Sequence, residues 1–280
     1  MGLIIKHLST GYGVPELAAY RNVFGMIPSL LLLWLTADWN ARGRPLRLRQ
    51  WPLGLLRGVI VTAEQVMFYL AVARMAYATA ATIVYSMSLF TTAFSVPLLG
   101  NRVGAMRWLA VLIGFAGVAM VMSPGADSFS PVALLPLGAA VGYGLITVMV
   151  KLFDDDAPSP LINLYSSVAA LVGVVVFCLA TGGFSPIRAW TDIAWIGAMG
   201  IFWLCLVISY RMTEPSNLAP FSYCGILTSF VGGWVFFGEA PIDRLFPGAL
   251  LIIAGGLMIV WRERRARALR ARGEAVPARR

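Results

Sequence analysis

Glu64 is the one charged side chain in GVIVTAEQVMFYLAV, residues 58–72, a run otherwise fit for lipid. It stands about eleven residues into its run, or roughly 16 Å deep at the helical rise of about 1.5 Å per residue. A charge at mid-membrane costs about 2.5–3.5 kcal/mol on insertion scales, so it needs a partner or a wet cavity. Arg21, in PELAAYRNVFG, lies about five residues into the preceding run, within reach of a long arginine side chain. Such a carboxylate can bind a substrate or a coupling proton, with Arg21 as counter-charge or as clamp for a substrate anion. It can equally belong to a buried structural pair, or stay protonated.

Aromatic residues supply a second kind of chemistry. Tyr85 lies roughly 11 Å below one face and Tyr223 roughly 12 Å below the other, so both approach the midplane of a core about 30 Å thick. Tyr143 and Trp203 sit mid-run on later helices. Such walls stack flat or cationic metabolites, and they also serve as bundle filler. Asn217, Pro220 and Ser222 make one helix start polar and breakable, a hinge or a plain cap.

Asp154, Asp155 and Asp156 in DDDAP form the one enzyme-like cluster. Adjacent acids at a membrane surface can hold Mg²⁺ for a diphosphate, as a membrane-embedded transferase requires. No second acidic cluster accompanies them and the chain has one His, so a solvated turn is the favoured reading. Cys178, Cys205 and Cys224 lie in apolar runs without CxxC spacing, which points to neither a disulfide framework nor a metal site. No glycine run leads into Lys-Ser/Thr, so an ATP-hydrolysing loop is not expected, and neither is a cofactor.

The elements that position these residues are membrane helices. Of 280 residues 59% are hydrophobic and 12% charged, about half the charge of a soluble domain. Nine apolar runs, at 16–37, 53–75, 78–99, 105–123, 131–153, 159–181, 189–211, 215–237 and 246–261, predict helices long enough to span lipid. The formal charge of +9 is concentrated in one polar gap (Arg42, Arg44, Arg47, Arg49) and in a basic tail over 262–280. Placing that tail in the cytoplasm puts sixteen basic residues inside and four outside. Anionic lipid, not nucleic acid, is the partner such a tail implies.

The chain also repeats. A shift of 138 residues lays 81–121 on 219–259 with eight identities, among them Tyr85/Tyr223, Gly100/Gly238 and Gly117/Gly255. The second unit, 131–261, has five helices; the first, 1–123, has four and a stub, GLII, like the last turn of a truncated helix. Five is odd, so tandem units of this kind are inverted, the plan of secondary transporters. The short patterns GAAVG, GAMG and AGG are expected to let helices approach closely.

Three stretches carry a resemblance: IKHLSTGYGVPELAAYRNVFG, ATAATIVYSMSLFTTAFSVPLLGNR and LAPFSYCGILTSFVGGWVFFGEAP. In their order and spacing they resemble the EamA-type carriers of the drug/metabolite transporter superfamily. The resemblance implies an all-α integral membrane protein of two inverted five-helix repeats in the inner membrane. Its first helix is shortened here, leaving nine full spans, with the C-terminus cytoplasmic. It implies a small-molecule substrate and a proton or ion as coupling partner, and leaves room for a homodimer. The last stretch looks most like uptake carriers for S-adenosylmethionine or riboflavin; an exporter of amino acids or drugs is the alternative. The family usually has Glu after the glycine of each repeat turn. This chain keeps it at Gly238–Glu239 and has Asn101 after Gly100.

Overall fold

The computed structural model describes residues 1–35, 48–100, 105–122, 130–154, 159–212, 215–239 and 246–271. Within those, the side chains at 28, 29, 32, 107, 160, 203, 204, 206–212, 215–223, 262–264 and 266–271 are outside the description. The described elements are all helices: α1 (Gly2–Leu8), α2 (Val14–Trp34), α3 (Trp51–Arg74), α4 (Tyr77–Val84), α5 (Met87–Leu99), α6 (Ala105–Met122), α7 (Leu134–Met149), α8 (Ser159–Ala180), α9 (Trp190–Met212), α10 (Pro215–Phe237) and α11 (Gly248–Ala271).

Every expected run falls on helix, with three corrections. The stub is two turns long, because α1 continues to Leu8 and buries Ile4, Ile5 and Leu8. The run at 78–99 is interrupted between α4 and α5. The last helix runs past its expected end at 261: α11 carries straight on to Ala271, since Arg and Ala are good helix formers and no Gly or Pro intervenes.

Among the described residues, four stretches are long and apolar enough to cross a membrane: Trp51–Arg74, Tyr77–Leu99, Pro131–Leu152 and Leu161–Ala180. Their outward faces are apolar too. On α8, Val168, Val172, Val176 and Leu179 form an exposed stripe at helical spacing, and α10 exposes Trp234, Val235 and Phe236. A water-soluble surface seldom carries patches of that extent.

Inside, small residues set the distances. α3 touches α8 through Gly54 and Gly58: a β-carbon at Gly58 would sit 2.7 Å from the Ser166 carbonyl oxygen. GAAVG turns two glycines toward α3, with Gly138 on Met67 and Gly142 on Glu64. Of GAMG, Gly200 lies on Phe24, whereas Gly197 meets no neighbour within 4 Å among the described residues.

The pair α6 and α11 is the tightest case. A β-carbon at Gly117 would lie 2.5 Å from the Gly248 carbonyl oxygen, and one at Gly255 2.6 Å from that of Ala110. Numbering rises along one helix as it falls along the other, so the two are antiparallel. Shifting by 138 turns 117 into 255 and 110 into 248, so each contact maps onto the other. Neither clash can be relieved by a side-chain rotation, because backbone oxygens stand in the way. Gly117→Ala and Gly255→Ala are therefore expected to destabilise by similar amounts, about 1–3 kcal/mol each, in thermal unfolding of the detergent-solubilised protein. A small cost at one and a large cost at the other would show that the two contacts are not equivalent.

The repeat turns match in backbone as well. Gly100 ends α5 at φ 63° and Gly238 ends α10 at φ 66°, the left-handed conformation that favours glycine at a helix C-terminus.

Candidate functional site

α2 and α3 are pinned together by amides adjoining the two charges. Asn22 Nδ2 donates to Gln65 Oε1 and Gln65 Nε2 donates to Asn22 Oδ1, both at 3.0 Å. Both residues are buried. Paired amides satisfy one another without water, which is what a buried crossing requires. Arg21 Nη1 joins this pair at Asn22 Oδ1, 3.3 Å away. Its charge also acts on the Glu64 carboxylate and on the hydroxyl of buried Tyr69. The structure thus brings Arg21 and Glu64 into electrostatic range, with Arg21 steadied by Asn22.

Glu64 itself is half-buried. Its stem rests on α7, where a β-carbon at Gly142 would be 3.1 Å from the Glu64 Cβ. Among the described residues no group hydrogen-bonds its carboxylate, and neither of its oxygens is sealed off. Tyr143 follows Gly142 directly and keeps 37% of its surface exposed.

Tyr85 stands at the helix interruption. Between α4 and α5 the ladder tightens to three-residue spacing: Ser86 N–H donates to Ile83 O at 3.1 Å, and Leu89 N–H donates to Ser86 O at 2.9 Å. The Ser86 hydroxyl bonds the same Ile83 carbonyl at 2.6 Å. A serine that bonds back to the preceding turn bends helices. The interruption aims the Tyr85 side chain across to α10, where its hydroxyl occupies the space a β-carbon at Gly225 would need. The side chains of Tyr223, its repeat counterpart, and of Trp203 lie outside the description, as do those of Asn217, Pro220 and Ser222.

The repeat-turn signature has a structural task on one side. Glu239 Oε1 accepts a charge-assisted bond from Lys6 Nζ, and its Oε2 accepts the Tyr77 N–H at 3.1 Å. Lys6 Nζ also donates to the Met75 carbonyl at 3.0 Å. Asn101 lies outside the described residues. So do Asp155 and Asp156, while Asp154 exchanges two hydrogen bonds with Gln50, at 3.2 and 3.0 Å, that anchor the acidic turn to the start of α3.

Two features escape a reading of sequence alone. Glu16 is 1% exposed and gathers donors from Gly13, Tyr20 and Ser185, so it fastens the start of α2 to the segment between α8 and α9. Arg57 lies within the span of α3 and donates through Nε to the Ile146 carbonyl of α7 at 3.3 Å. Its position was the only signal: six residues past Trp51, inside an apolar run rather than in a loop.

Several transporters are similar to this chain. An S-adenosylmethionine uptake transporter of Rickettsia bellii is 24% identical over 264 residues, which cover 93% of this chain and 88% of that protein. A riboflavin transporter of Vibrio cholerae is 30% identical over 186 residues, covering 64% of this chain and 61% of its own length. A pseudopaline exporter of Pseudomonas aeruginosa is 25% identical over 93% of this chain and 88% of its own. One crystal structure shares the fold, with a TM-score of 0.60 at 21% identity, over 94% of this chain and 95% of that one. The model of the EamA-like transporter family matches residues 1–123 and again 130–261. A multi-pass chain matched over nearly its whole length by that model belongs to the EamA-like transporter family, within the drug/metabolite transporter superfamily.

Proposed function

We propose that the chain is a secondary carrier of two inverted five-helix repeats that moves a small organic metabolite across the inner membrane by alternating access. Glu64 is the binding group at its centre. The observation that carries this reading is the Glu64 carboxylate, held mid-span by Gly142, facing the field of Arg21, and without a hydrogen-bond partner among the described residues. Left so in a static bundle, it is a cost; opposite a substrate cation or a proton, it is a site. The exchange of the Gly117 and Gly255 contacts under the 138-residue shift supports the inverted plan. The interruption at Tyr85 and Ser86 supports it further, since carriers of this plan bind at discontinuous helices near the midplane.

Uptake of a metabolite of the S-adenosylmethionine or riboflavin kind is the reading that the relatives favour. S-adenosylmethionine offers a cation for Glu64, and both compounds offer a flat ring for Tyr143 and Trp203. The pseudopaline relative keeps efflux as the second direction. A transferase built on the acidic turn is disfavoured by the hydrogen bonds that commit Asp154 to Gln50.

Proteoliposomes preloaded with each unlabelled compound and given its labelled form are the test. The protein is expected to accumulate at least one of them by counterflow, without ATP. Asp154→Asn, Asp155→Asn and Asp156→Asn combined should leave that rate within about twofold, as expected for near-isosteric substitutions at residues a carrier does not use. Absence of counterflow with both compounds, together with a transfer activity that the triple variant lacks, would turn the assignment toward the transferase.

A further inference from the structure

We propose that Arg57 forms an anion subsite that takes the carboxylate or phosphoryl group of the transported metabolite; this rests on the carrier reading. Arg57 and Glu64 are seven residues apart, two helical turns, so they share one face of α3, about 10 Å apart along its axis. Both meet α7: Glu64 lies on Gly142, and Arg57 bonds the Ile146 carbonyl one turn further along. Tyr143, half-exposed between those two contacts, lies within electrostatic range of the guanidinium. An acid and a base on one side of α3 thus both meet the stretch of α7 that carries the Tyr143 ring.

The guanidinium is under-used where it stands. It has five N–H donors, and among the described residues one of them, Nε, is engaged. Ile146 belongs to the last turn of α7, whose carbonyls welcome a cation, and that explains the single bond. It does not neutralise the charge. Of the nearest described acids, Asp154 is bonded to Gln50, and Glu64 is two turns away on the same helix. A planar fork with its donors open is suited to an oxyanion, which it grips through paired bonds. A phosphate or carboxylate on the metabolite has that chemistry, and so does a phospholipid headgroup, toward which a long arginine can extend.

Paired probes tell these sources apart: S-adenosylmethionine against its decarboxylated form, and riboflavin 5′-phosphate against riboflavin. Binding is followed by tryptophan fluorescence, with the protein in vesicles of phosphatidylcholine alone and of phosphatidylcholine with phosphatidylglycerol. In phosphatidylcholine the member of at least one pair that bears the extra anionic group is expected to bind about ten- to a hundredfold tighter than the member without it. Arg57→Gln should erase that difference and leave the affinity of the member without the anionic group unchanged, which also reports folding. Arg57→Lys should keep part of it. Equal binding within both pairs in the unmodified protein overturns the assignment, as does an acid preference that survives Arg57→Gln. An Arg57-dependent response to phosphatidylglycerol without any acid preference gives the residue to lipid and overturns it too. Failure of the carrier reading looks different: counterflow is absent while the Arg57-dependent acid preference persists.

Discussion

Glu64→Gln is expected to abolish accumulation of substrate while leaving the melting temperature of the protein equal or higher. Glutamine matches glutamate in shape, so the contact with Gly142 survives. No described hydrogen bond to the carboxylate is lost, because none is present. What changes is charge. A charged group at mid-span is worth about 2.5–3.5 kcal/mol of insertion cost, and neutralising it relieves part of that. A substrate cation or coupling proton loses its counter-charge at the same time. A charge-assisted bond of about 1.5–3 kcal/mol corresponds to a loss of about ten- to a hundredfold in affinity. If the carboxylate also carries the coupling proton, net accumulation stops altogether. The combination is diagnostic, since a purely structural acid gives the reverse pattern, lower stability with transport retained. Counterflow and thermal unfolding on the same preparation decide between them.

The Asn22–Gln65 pair makes the local comparison. Its two amides close on each other in both directions, so Gln65→Leu takes the acceptor from the buried Asn22 Nδ2, leaving Asn22 with Arg21 alone, and lowers stability. Glu64, the very next residue, has no such return bond. Neighbours on one helix therefore do different work, one fastening α2 to α3 and the other left without a hydrogen bond among the described residues.

How far the sequence leads is visible residue by residue. Helix positions were legible because lipid imposes run length, and a twenty-residue apolar stretch has few other uses. A close approach at GAAVG was legible for the same sort of reason, since only small residues permit it, but that α3 is the partner was not. The interruption at Tyr85–Ser86 was not. Its residues are neither Gly nor Pro, and Pro97, the usual breaker, lies inside α5 without ending it. A serine side chain competing for a backbone carbonyl has no compositional signature. Glu64 stood out because it is a lone charge in mid-run. Arg57 did not, being near enough to the end of its run to pass for a residue reaching toward water, and its partner is a backbone carbonyl on another helix. Pairings such as Tyr12 with Asp192, 180 positions apart, exist only once the chain is folded.

The longest of these pairings gives the second large effect. Glu239 collects two donors from distant parts of the chain: Lys6 on α1 and the Tyr77 N–H at the first turn of α4. The second bond is a helix N-terminal cap made in trans, a carboxylate against the positive end of the α4 dipole. Lys6 in turn holds the Met75 carbonyl, and its ammonium lies 5.3 Å from the centre of the Phe237 ring. One acid therefore ties the turn between α3 and α4 to α1 and to the end of α10. Glu239→Ala removes both bonds and leaves Lys6 partly buried beside an unsatisfied N–H, with side-chain exposures of 13% for Lys6 and 28% for Glu239. The expected loss is about 2–4 kcal/mol, below the 3–5 kcal/mol of a fully buried pair because water reaches these groups. Lys6→Glu and Glu239→Lys should each cost as much, by placing like charges together. Combining them restores the opposite charges but not the acceptor for Tyr77, since lysine has none. A double-mutant cycle by thermal unfolding should therefore show coupling of about 1–2 kcal/mol, with the double swap still short of the unmodified protein. Full recovery would mean that the Tyr77 cap contributes nothing. Strictly additive losses would mean that Lys6 and Glu239 do not interact, and that the glutamate after the turn glycine serves α4 alone.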